Sequence, residues 1–141
     1  MKKSKVNKFF INDKKFKDIK IGDKSKYERL ITASLIHNFA KLIKDYNPAH
    51  YNKKNAKVIA NGMLIGSLVS TLLGNYFQVK NNLLVSYSLN FKKPISQNQK
   101  IKIISTIVQK INFKKILIVK IEIYRNKNIL IASGETIIKV R

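Results

Sequence analysis

The sequence has no cysteine, only two histidines, and only seven acidic residues against 29 lysines and arginines. The first absence removes disulfides and thiolate nucleophiles. Two histidines without cysteine leave little from which to build a conventional zinc site. No apolar run is long enough to cross a bilayer, because the longest, Met63 to Leu73, is broken by Gly66, Ser67 and Ser70. The Lys-rich N-terminus lacks the apolar stretch of a secretory signal. These absences describe a soluble, cytoplasmic protein.

What is present fits one ordinary domain. The chain has 141 residues, 45% of them hydrophobic, enough to bury a real core. Residues 1–15 read as a basic, flexible arm and residues 16–141 as a single folded unit. The net charge of +22 admits two readings. One is attraction to something anionic, such as nucleic acid, a membrane surface, a phosphate-bearing cofactor or an acidic carrier protein. The other is compositional bias toward Lys, Ile and Asn. The second is favoured, because the lysines are spread along the chain. Only three arginines (Arg29, Arg125 and Arg141) offer the planar fork that nucleic-acid readers use.

Along the chain, Phe16 to Asp23 is a lead-in ending in a Gly-Asp turn, and Ser25 to Ile31 suits an edge strand. Thr32 suits a helix N-cap, followed by Leu35, Ile36, Phe39, Leu42 and Ile43 at helical spacing. Pro48 requires a turn after Asp45. Tyr51 to Lys57 is polar and long enough for a helical turn. A second helix runs from Asn61 or Gly62 to Gly74 and is apolar on nearly every side, which places it inside the protein. Gly62, Gly66, Ser70 and Gly74 recur every four residues along it. Each glycine costs a helix about 1 kcal/mol relative to alanine, so the stripe implies a return in packing or function. From residue 83 the period becomes two, with Val85, Tyr87, Leu89 and Phe91 alternating with polar residues. Strands are expected to Phe91, over 101–108, 116–124 and 129–140, as an antiparallel meander joined by hairpins. A buried helix followed by such strands implies an α+β fold with the sheet curled around the helix.

Between Glu28 and Glu122 there is one carboxylate, Asp45. It stands at a helix end that disfavours negative charge by about 0.3–1 kcal/mol. Five residues later comes His50, and the turn at Asn47-Pro48 can fold it back toward Asp45. A carboxylate beside an imidazole can position and deprotonate water. Spacing alone leaves another reading open, a surface turn with Asp45 paired to a lysine and His50 solvated. His37 shares a lysine-bearing helix face and reads as solvated, and Tyr46 reads as packing.

The phrase Asp45-Tyr46-Asn47-Pro48-Ala49-His50, followed by Asn61-Gly62-Met63-Leu64 opening an apolar helix, resembles the MaoC-like hydratases of the hot-dog fold. These include (R)-specific enoyl-CoA hydratases and 3-hydroxyacyl thioester dehydratases. The resemblance extends from Phe16 and takes in Leu89-Asn90-Phe91-Lys92-Lys93-Pro94 and Gly134-Glu135. It implies a long central helix wrapped by a curved antiparallel sheet of about five strands, in a homodimer. It implies that Asp45 and His50 activate water for reversible addition to trans-2-enoyl thioesters. Asn47, Gly62 and Ser70 would lie at the substrate, with the Gly62 amide on the thioester carbonyl. A donor there is worth roughly 3–4 kcal/mol in comparable oxyanion holes. No metal or redox cofactor is implied. Coenzyme A or the pantetheine arm of an acyl carrier protein would be part of the substrate.

Two features depart from the family. Asn61 stands where a histidine usually precedes the glycine, and the stretch between His50 and Gly62 is several residues shorter. Rival readings are an acyl-carrier-protein dehydratase of fatty-acid synthesis using the same residues, a thioesterase on the same fold, and a non-enzymatic nucleic-acid-binding protein.

Overall fold

A strand packed on one face reads as period-two burial. In the computed structural model, which describes residues 13–51 and 57–141, the strand β4 (Ile116–Arg125) buries Leu117, Val119, Ile121 and Ile123 in alternation. Its neighbour β3 (Gln99–Ile111) does the same with Ile101, Ile103, Ser105 and Ile107. With β1 (Lys24–Ile31), β2 (Asn82–Phe91) and β5 (Ile129–Val140) they form one five-stranded antiparallel sheet in the order β1-β3-β4-β5-β2. Register shifts at Leu84/Ser86, Ile107/Gln109 and Ile123/Tyr124 mark bulges. Bulges bend a sheet and raise its twist, which lets it curl.

The concave face of that sheet receives α2 (Gly62–Thr71), continued by a π-helical turn over Leu72–Tyr76. Leu64, Ile65, Leu68, Val69, Leu72 and Leu73 all enter a single core cluster with the inward residues of β3, β4 and β5. This is the hot-dog architecture expected from the sequence, a central helix held in a curved five-stranded sheet. The helix is not covered on every side, however. Met63 is 70% exposed, and Ser67 and Ser70 are open to solvent. The glycine stripe returns its cost through two close approaches. A methyl on Gly62 would lie 3.2 Å from the Phe91 ring, and one on Gly66 would lie 3.3 Å from the Tyr87 hydroxyl. Both rings belong to β2, so the glycines let that strand lie against the helix.

The simple meander is wrong in one place. β3, β4 and β5 are consecutive hairpins, but β2 pairs with β5 and not with β3. Alternation specifies which face of a strand is buried, and it is silent about the neighbour. The residues after Pro94 make no hairpin turn because they have another partner. Ile95 is buried, Ala60 donates its N–H to the Ile95 carbonyl at 2.8 Å, and Gln97 donates to the Val58 carbonyl at 3.0 Å. The segment thereby crosses to the far side of the sheet and starts β3 beside β1.

The edge-strand expectation for 25–31 holds, with β1 at one end of the sheet. Most of the expected basic arm, residues 1–12, lies outside the described residues, as do 52–56 of the expected helical turn after Tyr51. Lys14 is described and anchored, its N–H donating to Gln78 at 2.8 Å and its ammonium meeting Asp23 at 2.8 Å.

The tightest backbone approach is at Gly134, where a methyl would stand 1.9 Å from the Ser88 carbonyl oxygen of the paired strand. Gly134→Ala must push β2 and β5 apart. It should cost at least about 1–3 kcal/mol, the usual range for overpacking, and lower the thermal midpoint by several degrees. Gly74 has nothing within 4 Å of the same methyl position, so Gly74→Ala should leave the midpoint unchanged or raise it. Equal losses in a thermal melt would contradict this account of the β2–β5 contact.

Candidate active site

The helix α1 (Ala33–Ile43) starts where the sequence predicts, with the Thr32 hydroxyl accepting from the Leu35 N–H at 3.1 Å. Its end is closed by Lys44 in the left-handed conformation at φ 56. Lys44 donates to the Lys41 carbonyl at 3.2 Å and Asp45 donates to the Ala40 carbonyl at 2.9 Å. That reciprocal pattern is a Schellman cap, which needs one left-handed residue and is usually built on glycine. Here a lysine accepts the conformation, and the result is that the Asp45 backbone is tied to the helix.

From Asp45 the chain turns twice. The Asp45 Oδ1 accepts from the Asn47 N–H at 3.1 Å, and the Asn47 Oδ1 accepts from the Ala49 N–H at 3.1 Å. Both are local side-chain turns of the kind Asp and Asn favour. Pro48 then opens a single 3-10 turn, Pro48–His50. This turn is stitched to the strand-like segment before α2. Ile59 donates its N–H to the Ala49 carbonyl at 2.9 Å, and the His50 Nδ1 lies 2.7 Å from the Ile59 carbonyl oxygen. Two residues beyond Ile59 is Asn61, and then α2 begins.

These constraints bring three side chains together. The Asp45 Oδ2 accepts from the Asn61 amide at 2.6 Å and lies 3.5 Å from the His50 Nε2. A carbonyl oxygen can only accept, so the Ile59 carbonyl fixes the neutral imidazole with its proton on Nδ1. The His50 Nε2 then presents a lone pair toward a carboxylate oxygen. Two acceptors facing each other call for a donor to both, and a water molecule has two O–H groups to give. Beside them, Gly62 heads the first turn of α2, where amide groups have no partner within the helix. Asn61 supplies no side-chain cap to them.

The sequence-derived candidates divide. Asp45 and His50 come together as expected, and no lysine stands against Asp45 among the described residues. By contrast Asp13, Asp23, Glu28 and Glu122 each hold a lysine within 4 Å. The Asn47 side chain is engaged in the turn. Gly62 directly follows Asn61, whose side-chain amide holds Asp45. Ser70 stands further off, since eight residues at about 1.5 Å rise place it roughly 12 Å further along α2. It lines an apolar groove of about 340 Å³ with Phe39, Ile43, Met63, Leu84 and Tyr87. A second groove of about 290 Å³ runs past Gly62, between Phe91, Ile131 and Pro94, to Lys92 and Lys93.

Around the turn, His37 is exposed as read from the sequence, with its ring edge-on to Tyr51 at 4.9 Å. Tyr46 is exposed and stacks on Tyr51 at 6.2 Å. Desolvation first, then Tyr46 and Asp45, push the Tyr51 hydroxyl above its ordinary range. Burial pushes Tyr87 up to about 12. Sequence reasoning missed the Ile59 carbonyl, which carries no side-chain signal. It noticed Asn61 only as a substitution, although a buried amide directly before a helix glycine was the signal available.

The Ile59 contact has a measurable consequence. Neutral His50 should be the Nδ1–H tautomer, readable from the two imidazole nitrogens in a long-range nitrogen–proton NMR spectrum above neutral pH. Resonances of the Nε2–H form, the commoner one in free histidine, would show that the Ile59 carbonyl does not set the ring.

The chain is similar to known proteins in sequence and in fold. An (R)-specific enoyl-CoA hydratase of Rhodospirillum rubrum is 37% identical over 86 residues, 57% of this chain and 60% of that protein. The (R)-specific enoyl-CoA hydratase of Aeromonas caviae is 27% identical over 128 residues, 86% of this chain and 96% of that one. The solved (R)-hydratase from A. caviae involved in PHA biosynthesis superposes with a TM-score of 0.81 at 25% identity, covering 88% of this chain and 98% of that one. The family described as MaoC like domain matches residues 17–126, and the chain belongs to it.

Proposed function

We propose that this protein catalyses the reversible hydration of trans-2-enoyl thioesters to (R)-3-hydroxyacyl thioesters. One observation carries the reading: Asp45 and His50 converge as two hydrogen-bond acceptors 3.5 Å apart, beside the start of α2. The naming of the two relatives as (R)-specific enoyl-CoA hydratases supports it.

In hydration, the pair holds water by its two O–H groups and removes one proton as the oxygen bonds to C3. The electron pair of the C2–C3 double bond moves toward the thioester carbonyl, whose oxygen gains negative charge. The Gly62 amide would donate to that oxygen, most strongly when the charge is greatest. The proton taken from water is returned to C2. Atoms balance as one water added, with no change of oxidation state overall, so the reaction calls for no redox cofactor. The groove past Gly62 suits the thioester handle, and Lys92 and Lys93 on its wall suit the phosphates of coenzyme A or of a carrier's pantetheine arm. The apolar groove containing Ser70 suits the acyl chain. A cytoplasmic location belongs to the same reading. No helix among the described residues is long and apolar enough to cross a membrane.

A homodimer is part of this proposal. β2 ends the sheet, and Leu83, Leu84, Val85 and Phe91 on it are each at least half exposed. An apolar open edge of that kind invites pairing with a second copy.

Two outcomes check the proposal. Loss of the conjugated enoyl-thioester absorbance of a short trans-2-enoyl-CoA should fall by roughly a hundredfold to ten-thousandfold in Asp45→Asn and in His50→Ala, with thermal midpoints near wild type. Equal rates in wild type and Asp45→Asn would refute the hydratase reading, and release of free thiol would indicate a thioesterase. For assembly, light scattering after gel filtration should give twice the chain mass of 16.3 kDa for wild type and the single mass for Val85→Lys.

A further inference from the structure

The Asp45 carboxylate is held at both oxygens before any substrate arrives. Oδ1 takes the Asn47 backbone amide at 3.1 Å and Oδ2 takes the Asn61 side-chain amide at 2.6 Å. His50 is held separately by the Ile59 carbonyl. What is left between imidazole and carboxylate is 3.5 Å, longer than a direct hydrogen bond. From this we propose that Asn61 is a positioning residue that braces Asp45 away from His50 and keeps the pair open for water.

The Asn61 side chain does little for the fold by other means. It is 3% exposed, yet it makes no cap bond to α2; the Ile65 N–H is met by the Asn61 backbone carbonyl at 3.2 Å. Its Oδ1 is buried with no donor among the described residues. Among the described residues its side chain therefore bonds to Asp45 alone. Without that bond, Oδ2 would be free to swing onto His50 as soon as the imidazole gains a proton. The result would be a closed ion pair with no room for water and no free base. An amide prevents this with no ionisation of its own. Because Asn61 also precedes Gly62 directly, the same residue ties the base to the amide that meets the thioester carbonyl.

Elements around the pair carry other titratable groups: His37, Lys41 and Lys44 on or at the end of α1, Tyr46 and Tyr51 in the turn, Lys57 before α2, and Lys92 and Lys93 across the groove. α2 has none. His37 is the other imidazole among them, with its ring edge-on to Tyr51.

The test uses Asn61→Ala, the near-isosteric Asn61→Leu, which keeps the volume without the donor, and Asn61→His, which restores a donor that can titrate. The catalytic part rests on the hydratase reading; the spectroscopic part does not. Without the donor, kcat on enoyl-CoA should fall roughly tenfold to a hundredfold, the size of one hydrogen bond to a charged group, with KM changed less than about threefold. The imidazole nitrogen resonances of His50 should move while those of His37 stay. Asn61→His should recover most of kcat and add an ionisation to the acidic limb of the rate profile. Wild-type kcat, or an unmoved His50 signal, in both Asn61→Ala and Asn61→Leu would overturn the brace. A wild type inactive on every enoyl thioester, with the His50 signals still moving in the variants, would sink the hydratase reading and uphold the brace.

Discussion

α2 carries no charged side chain, and the six large inward residues that it and its π-helical continuation present cannot be left in water. A helix of that composition needs a surface curved enough to cover most of its circumference, and a single flat sheet would leave too much of it bare. The sheet meets the demand with bulges in β2, β3 and β5 and with two glycines that admit the Phe91 and Tyr87 rings. Burial of α2 therefore dictates where its N-terminus emerges. That point lies between the turn after α1 and the crossing segment after β2. The unpaired amides at the helix start and the acid–base pair come together as a consequence of packing one apolar helix.

The site is assembled almost wholly by backbone. The Schellman cap at Lys44, the turns at Asp45 and Asn47, and the Ile59 carbonyl locate the reacting atoms, and every one of these bonds has a main-chain partner. Such bonds cost less side-chain entropy than pairing long side chains would. They also remove Asp45 from the fate of most other carboxylates here. In a chain with 29 cations, an acidic group on an open surface finds a lysine, as Asp13, Asp23, Glu28 and Glu122 do. Asp45 is half-buried with both oxygens already engaged, so no lysine is needed there. At physiological ionic strength the Debye length is about 8 Å, so more distant lysines act on the site weakly. The +22 charge thus acts on encounter with anionic ligands more than on the chemistry.

Features governed by neighbours in sequence were legible. The Thr32 cap, the α1 periodicity, the Pro48 turn and the alternation of β4 each follow from residues within a few positions, and each stands where it was read. The partner of β2 was not legible, because period two reports a buried face and carries no information about which strand lies alongside. Nor was the helix end at Lys44, where no glycine announced the left-handed residue. The approach of Asp45 and His50 was open to reading, because acids and histidines are so scarce that a close pair stands out, and the resemblance favoured it over a solvated turn. Asn61 was seen as a departure from a pattern, and its role needed the 2.6 Å contact to a residue sixteen positions away. Ser70 shares its helical spacing with Gly62 and Gly66, and two turns of helix carry it from the start of α2 to the apolar groove.

The exposed parts of the structure belong to one problem. Met63 at the mouth of the apolar groove and Leu84 on its wall are 70% and 54% exposed, and Val85 beside them on the open edge is 60% exposed. Left in water, the groove would be an apolar trough and the edge a template for unspecific pairing. Covering them separately would need two further elements, and the chain has none to spare among the described residues. A second copy docked along β2 would satisfy the backbone groups of the edge. By the same contact it would roof the groove and exclude water from the acyl chain, leaving the Gly62 side open to the thioester handle. Under that reading, the residues that make the isolated sheet imperfect complete the acyl site in the dimer.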